Sequence, residues 1–267
     1  MRYFIQLSYN GTPYHGWQRQ PNAVTVQQTI EEALSTLLRT PITIMGAGRT
    51  DTGVHAQMMY AHVDIPHESD PKNPNETLEG AVPAFAKADL TTLTYKLNNF
   101  LPPSIAIQDI LPVKEDAHAR FDATYRSYVY RIHSHKNPFT QERAFYYKIP
   151  LDLERMQEAS EILKTYTDFE CFSKSNTDVN TYLCAIKEAK WSQVDNEYHF
   201  TITADRFLRN MVRAIVGTLV AIGQGKKPVS WMHEVIKGKN RSLAGASVPA
   251  YGLYLIDIGY PKHIFID

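Results

Sequence analysis

The sequence predicts an α+β protein in two halves, with flanking helices around a mainly antiparallel, mixed β-sheet. Three observations lead there. Strand-like alternation recurs along both halves; helical patterns number only about two in each; and Asn98-Asn99-Phe100-Leu101-Pro102-Pro103 interrupts all periodicity between them. The boundary is therefore placed between residues 105 and 106, giving halves of 1–105 and 106–267. A chain of 267 residues suits one large or two mid-sized domains. No internal repeat is visible.

In the first half, Tyr3, Ile5, Leu7 and Tyr9 alternate with Phe4, Gln6 and Ser8, a strand with one apolar exception. Asn10-Gly11-Thr12-Pro13 stops it as a turn. Thr25 with Gln28 three residues on forms a capping box, and Val26, Ile30, Ala33, Leu34, Leu37 and Leu38 line one helix face. A short strand from Ile42 to Met45 leads into a glycine-rich loop, followed by a strand from Gln57 to Ile65. Pro66 to Asn75, rich in proline and charge, reads as an exposed connection.

At the boundary a strand-like run resumes, Ile105 to Val113. Tyr125 to His133 reads as a strand, and Leu153, Met156, Ala159, Ile162 and Leu163 mark a helix. Ala185–Trp191 and Tyr198–Ala204 flank Asp195-Asn196 as a hairpin. A long amphipathic helix is expected from Phe207 to Ile222, stopped by Gly223. On that helix Arg206, Arg209 and Arg213 would share a polar face opposite the apolar one.

Composition excludes several classes. A hydrophobic fraction of 43% and a charged fraction of 21% belong to a folded chain rather than a disordered one. No apolar run is long enough for a membrane span, and no secretory signal is evident at Met1–Gln6. Cys171 and Cys184 are then expected as reduced thiols in a cytoplasmic protein. Net charge is zero, yet His199–Gly245 holds eight basic residues against two acidic ones. A local basic field of that kind suits nucleic acid or is a solvated surface; charge alone leaves both open.

The most informative stretch is Gly46-Ala47-Gly48-Arg49-Thr50-Asp51-Thr52-Gly53-Val54-His55-Ala56. Its glycines permit sharp turning and close approach of another group. An Asp two residues from an Arg stays ionised if both point into one cleft, because the cation stabilises the carboxylate. Such a carboxylate serves as nucleophile or electrostatic stabiliser. The loop carries no second carboxylate, which argues against ordinary glycoside hydrolysis. No His-Glu-x-x-His or Cys-x-x-Cys occurs, and Gly46-x-Gly48 lacks the rest of a dinucleotide fingerprint. Neither a metal nor a nucleotide cofactor is expected.

Gly-Arg-Thr-Asp-x-Gly-Val-His-Ala resembles the active-site loop of the TruA-type tRNA pseudouridine synthases. Four further blocks resemble the same family: Asn10–Gln20, Ala119–Tyr130, Met211–Gly217 and Tyr251–Leu255. The resemblance runs from Tyr9 to Leu255. It implies the pseudouridine synthase fold, with two similar halves, an active-site cleft between them, and isomerisation of uridine on the 3′ side of the tRNA anticodon stem-loop. It also implies no cofactor and a homodimer that shares its tRNA.

Carried over residue by residue, it makes Asp51 the nucleophile, with Arg49 and Arg213 beside it. It makes Tyr128 the base-stacking tyrosine, and Leu253 part of the closing strand that lines the uracil site. Arg206 and Arg209 are expected phosphate contacts. Trp17 offers either a stacking surface for RNA or a buried turn anchor. Two departures stand out: Arg209 where members often have His, and Leu183 where many have Arg. Whether Asp51 attacks the sugar or helps remove its 2′ proton stays open. So does a non-catalytic tRNA-binding module using the same cleft.

Overall fold

The computed structural model describes residues 1–65, 87–174 and 180–266. Among them are nine strands and five α-helices, a mixed α+β content. They divide into two compact units. One comprises Met1–Thr124 with Ile258–Asp267, the other Tyr125–Asp257. The connection expected at 66–75 lies outside the described residues. No helix among the described residues is long and apolar enough to cross a membrane.

The first unit is built on β1 (Arg2–Tyr9), which pairs antiparallel with β3 (His55–Asp64) on one side and β4 (Ile105–Val113) on the other. β2 (Ile44–Gly46) pairs antiparallel with β3. Phe4, the apolar exception in the alternation of β1, is 0% exposed. Its ring meets Tyr260 at 5.1 Å and Phe265 at 6.1 Å, so β1 is buried on both faces, as a central strand should be.

α1 (Val26–Leu38) starts as expected, with the Thr25 side chain accepting the Gln28 N–H. Gln28 does not reach back, because its amide donates to Glu32 instead. Buried Glu31 points the other way: its carboxylate accepts from Arg19, Gln27 and the backbone N–H of Ile44, fixing where β2 begins. α2 (Lys87–Phe100) was not anticipated, although Leu90, Leu93, Leu97 and Leu101 recur at helical spacing and are all buried. Its Asn98 side chain bonds both the N–H and the C=O of Ile107 in β4. The break seen in sequence is thus the turn between α2 and β4. The unit continues past it to Thr124, because β4 pairs with β1 along its whole length; the expected boundary at 105/106 moves accordingly.

His62 closes this unit on residues 117–122. Its Nδ1 accepts the Ala119 N–H at 3.1 Å. Burial, with the Arg2 and His118 charges, pushes its pKa from 6.5 down to about 4. Neutral His62 is therefore favoured in the fold. Its stabilising contribution is complete above pH 6.5 and disappears as pH falls from there towards 4. His62→Asn keeps an acceptor but does not titrate. Its loss of unfolding free energy between pH 7 and 4 should be smaller than that of the wild type by roughly 2 kcal/mol. Denaturant titrations at the two pH values check this, and equal losses would contradict it.

The second unit runs β9-β5-β8-β7. β5 (Tyr125–His133) and β7 (Ile186–Val194) both pair antiparallel with β8 (Glu197–Ala204). The two-residue turn of the hairpin is Asp195-Asn196, with Asp195 at φ 52°. β9 spans Leu253–Gly259, and β6 (Phe145–Tyr146) adds parallel to β5. α3 (Leu153–Leu163) matches its expected span, capped by Asp152 accepting the Arg155 N–H. It packs with α4 (Met211–Gly223) and against β7, and α5 (Trp231–Lys237) follows. Cys171 and Cys184 are buried free thiols, both pushed by burial up to about 12.

α4 begins at Met211 rather than at Phe207. Asn210 adopts a left-handed conformation (φ 66°), which an α-helix cannot continue through. Arg206 and Arg209 therefore precede the helix, and the expected three-arginine face does not form. The Asp205 carboxylate instead accepts the N–H groups of Ala185 and Arg206, and Arg206 donates to Thr181 O at 3.1 Å.

Candidate active site

In the first unit, residues 47–54 form the loop between β2 and β3, and its backbone is fixed from several sides. Trp17 N–H donates to Thr50 O at 3.3 Å, and the Tyr9 hydroxyl bonds Thr50 Oγ1 at 2.9 Å. Gly11 N–H donates to His55 Nδ1 at 3.0 Å. Gly16, at φ +89°, lies so close that a Cβ there would sit 2.4 Å from Thr50 O. Within the loop, Val54 N–H closes a turn on Asp51 O, and Gly53 takes a positive φ of 78°. Asp51 is half-buried at the head of that turn and Arg49 is exposed. A carboxylate held this way is presented on a rigid backbone, which suits chemistry that needs fixed geometry.

Trp17 settles into one of its two expected roles. It is 2% exposed, with its ring 6.1 Å from Tyr9. A Cβ on Gly46 would lie 2.4 Å from its indole. It is a buried support for the Asp51 loop, and no base can stack on a side chain so enclosed. The expectation that Trp17 binds substrate is corrected accordingly. The remaining residues that pin the loop, Tyr9, Gly16 and His55, were not singled out by the sequence.

The other expected residues lie in the second unit. Arg213 is in the first turn of α4, half-buried, and its Nε donates to Val248 O at 2.8 Å while Val248 N–H returns to Arg213 O. Tyr130 donates its hydroxyl to the next carbonyl, Pro249 O, at 2.8 Å. Burial raises the Tyr130 pKa, so it stays a neutral donor. Tyr128, two residues earlier on β5, is half-buried and meets Phe207 edge-on with centroids 5.1 Å apart. Leu253 opens β9 just after Gly252, where a Cβ would strike the Tyr130 ring. Arg213, Tyr130 and Leu253 therefore meet around residues 248–253. Arg206 and exposed Arg209 stand apart from that cluster, on the approach to α4.

Residues 245–248 are themselves held tightly. Ser247 Oγ accepts from Asn210 and Arg241, Gly245 N–H donates to Thr218, and Arg241 also reaches Gly245 O. No group of three His, Cys, Asp or Glu side chains suited to a metal ion occurs among the described residues.

Comparison with known proteins identifies the family. The family described as tRNA pseudouridine synthase matches residues 6–122 and 166–261. A tRNA pseudouridine synthase A of Parabacteroides distasonis is 50% identical over 99% of this chain and 98% of its own length. That of Porphyromonas gingivalis is 48% identical over 99% of both chains. The Streptococcus thermophilus protein of the same name is 38% identical over 97% of this chain and 99% of its own. The family match takes in the Asp51 loop and the Arg213 helix, the near-full-length relatives span the β5 tyrosines as well, and the chain belongs to the tRNA pseudouridine synthase family.

Proposed function

We propose that this protein converts uridine to pseudouridine in the anticodon stem-loop of tRNA, with Asp51 as its catalytic carboxylate. Isomerisation of tRNA uridine follows from family membership. The stem-loop and the residue roles are the finer reading. The observation that carries it is Asp51 itself: a half-buried carboxylate on a loop whose neighbours Thr50 and His55 are both pinned.

The reaction breaks the bond from the ribose to uracil N1, turns the base, and rejoins it through C5. C5 loses its proton and N1, freed from the sugar, gains one, so the product is an isomer. Uracil is a tolerable anionic leaving group, which lets a single carboxylate suffice where glycosidases use two. Asp51 either bonds to the sugar or helps remove its 2′ proton. Arg213 and Arg49 supply positive charge to that carboxylate. Tyr128 stacks on the extruded base, whose unstacking the site must offset, and Leu253 lines its pocket. Arg206 and Arg209 contact phosphates. The protein acts in the cytoplasm, as a homodimer and without a cofactor; light scattering at 30.4 kDa rather than twice that mass would remove the dimer.

The test uses an unmodified tRNA transcript carrying tritium at uridine C5. Release of tritium to water by the protein establishes isomerisation at C5. Binding without release from several tRNAs would favour a non-catalytic binding module instead.

A further inference from the structure

Residues 134–149 leave β5, turn over and return as β6, forming an arm on the second unit. Its base is fixed. β6 pairs with Ile132–His133, Tyr147 N–H donates to His133 O at 2.8 Å, and the Tyr254 hydroxyl donates to Arg143 O at 2.7 Å. The Phe145 ring lies 6.5 Å from that of Tyr130, the same tyrosine that holds Pro249 beside the Arg213 contact. The arm is thus rooted in the cluster assigned to the target base.

Its tip is unlike the rest of the unit's surface. Phe139 is 85% exposed, on a tight turn fixed by Asn137 accepting the Phe139 N–H at 2.9 Å. Along the arm lie Lys136, Arg143 and Lys148, all exposed, against one acid, Glu142. At that exposure the ring buries little surface and adds little to the fold. Lysine is depleted from the cores of protein–protein contacts, whereas cations interleaved with exposed aromatics are what single-stranded nucleic acid binds.

We propose that the 134–149 arm is an RNA-binding element: Lys136, Arg143 and Lys148 engage phosphates, and Phe139 stacks on an unpaired base flanking the modified uridine. This rests on the proposed tRNA substrate. The arm fixes the strand on either side of the target, so it acts on affinity rather than on the chemical step.

The test compares wild type, Phe139→Ala, Phe139→Trp and the triple variant Lys136→Gln/Arg143→Gln/Lys148→Gln, using an unmodified tRNA transcript. For the triple variant, the slope of log affinity against log salt should shrink by about two, with Kd rising at least about tenfold at physiological salt. Phe139→Ala should raise Kd roughly five- to tenfold, with kcat at saturating tRNA unchanged. Trp17 and Trp191 are buried and Trp231 half-buried, so quenching on binding by Phe139→Trp in excess of that of the wild type should report stacking. Variants matching the wild-type Kd and salt slope, while wild type still releases tritium, would overturn this inference alone. A triple variant with altered mass in light scattering but an unchanged salt slope would overturn it in favour of a subunit contact. Wild type that bound no tRNA would overturn both this and the proposed function.

Discussion

Asp51→Ala is expected to lower turnover by on the order of 10⁴-fold or more, because the group that does the chemistry is deleted and the loop offers no replacement. The fold should survive. Asp51 gives its backbone C=O to the Val54 turn, and alanine keeps that carbonyl. The supports at Thr50, His55 and Trp17 are equally untouched. Affinity for tRNA should stay within about tenfold, or roughly 1.4 kcal/mol, since a wide RNA surface is unaffected. Tritium release and filter binding on one preparation measure both quantities. Turnover close to that of wild type would end the assignment of Asp51, whereas loss of binding in parallel would assign it a structural role.

Gly217→Ala should damage both stability and catalysis through one contact. A Cβ at 217 would lie 1.8 Å from Ala246 O, a backbone atom that cannot swing aside. α4 and residues 245–248 must separate, at a cost of about 2 kcal/mol or more. The carbonyl of Val248 then leaves the Arg213 guanidinium, so kcat should fall as well. Gly223→Ala is the control on the same helix. Its Cβ would meet the Met156 thioether, a side chain able to move, and should cost less. Thermal melts and tritium release test the pair, and a Gly217→Ala protein as stable and active as Gly223→Ala would refute the argument.

The strands were legible where one face is polar or a turn residue is explicit, as at Asp195-Asn196 between β7 and β8. α3 was legible from its apolar stripe alone. α4 was misread at its start. Phe207 and Leu208 keep the helical apolar period, but Asn210 takes a left-handed conformation that no periodicity reports. α2 carries leucines at helical spacing, but its last turn runs straight into the Pro102-Pro103 break, which masks the pattern. The Asp51 loop was legible from the sequence itself. Its supports were not, since the Tyr9–Thr50 and Gly11–His55 bonds join residues about forty apart. Trp17 shows the same limit: its chemistry suits RNA equally well whether or not Gly46 covers it.

The first unit includes residues 258–267, which follow the whole of the second in the chain. Lys114 N–H donates to Ile264 O, Ile266 N–H to Pro112 O, and Thr124 N–H to Gly259 O, while Phe4 packs on Tyr260 and Phe265. The order of synthesis therefore reverses the order of completion. The second unit is one uninterrupted segment and has all its parts as soon as residue 257 has left the ribosome. The first, begun earlier, waits with the Phe4 face of β1 uncovered until the later residues arrive. Until then it is the half of the protein that chaperones would see and proteases would cut.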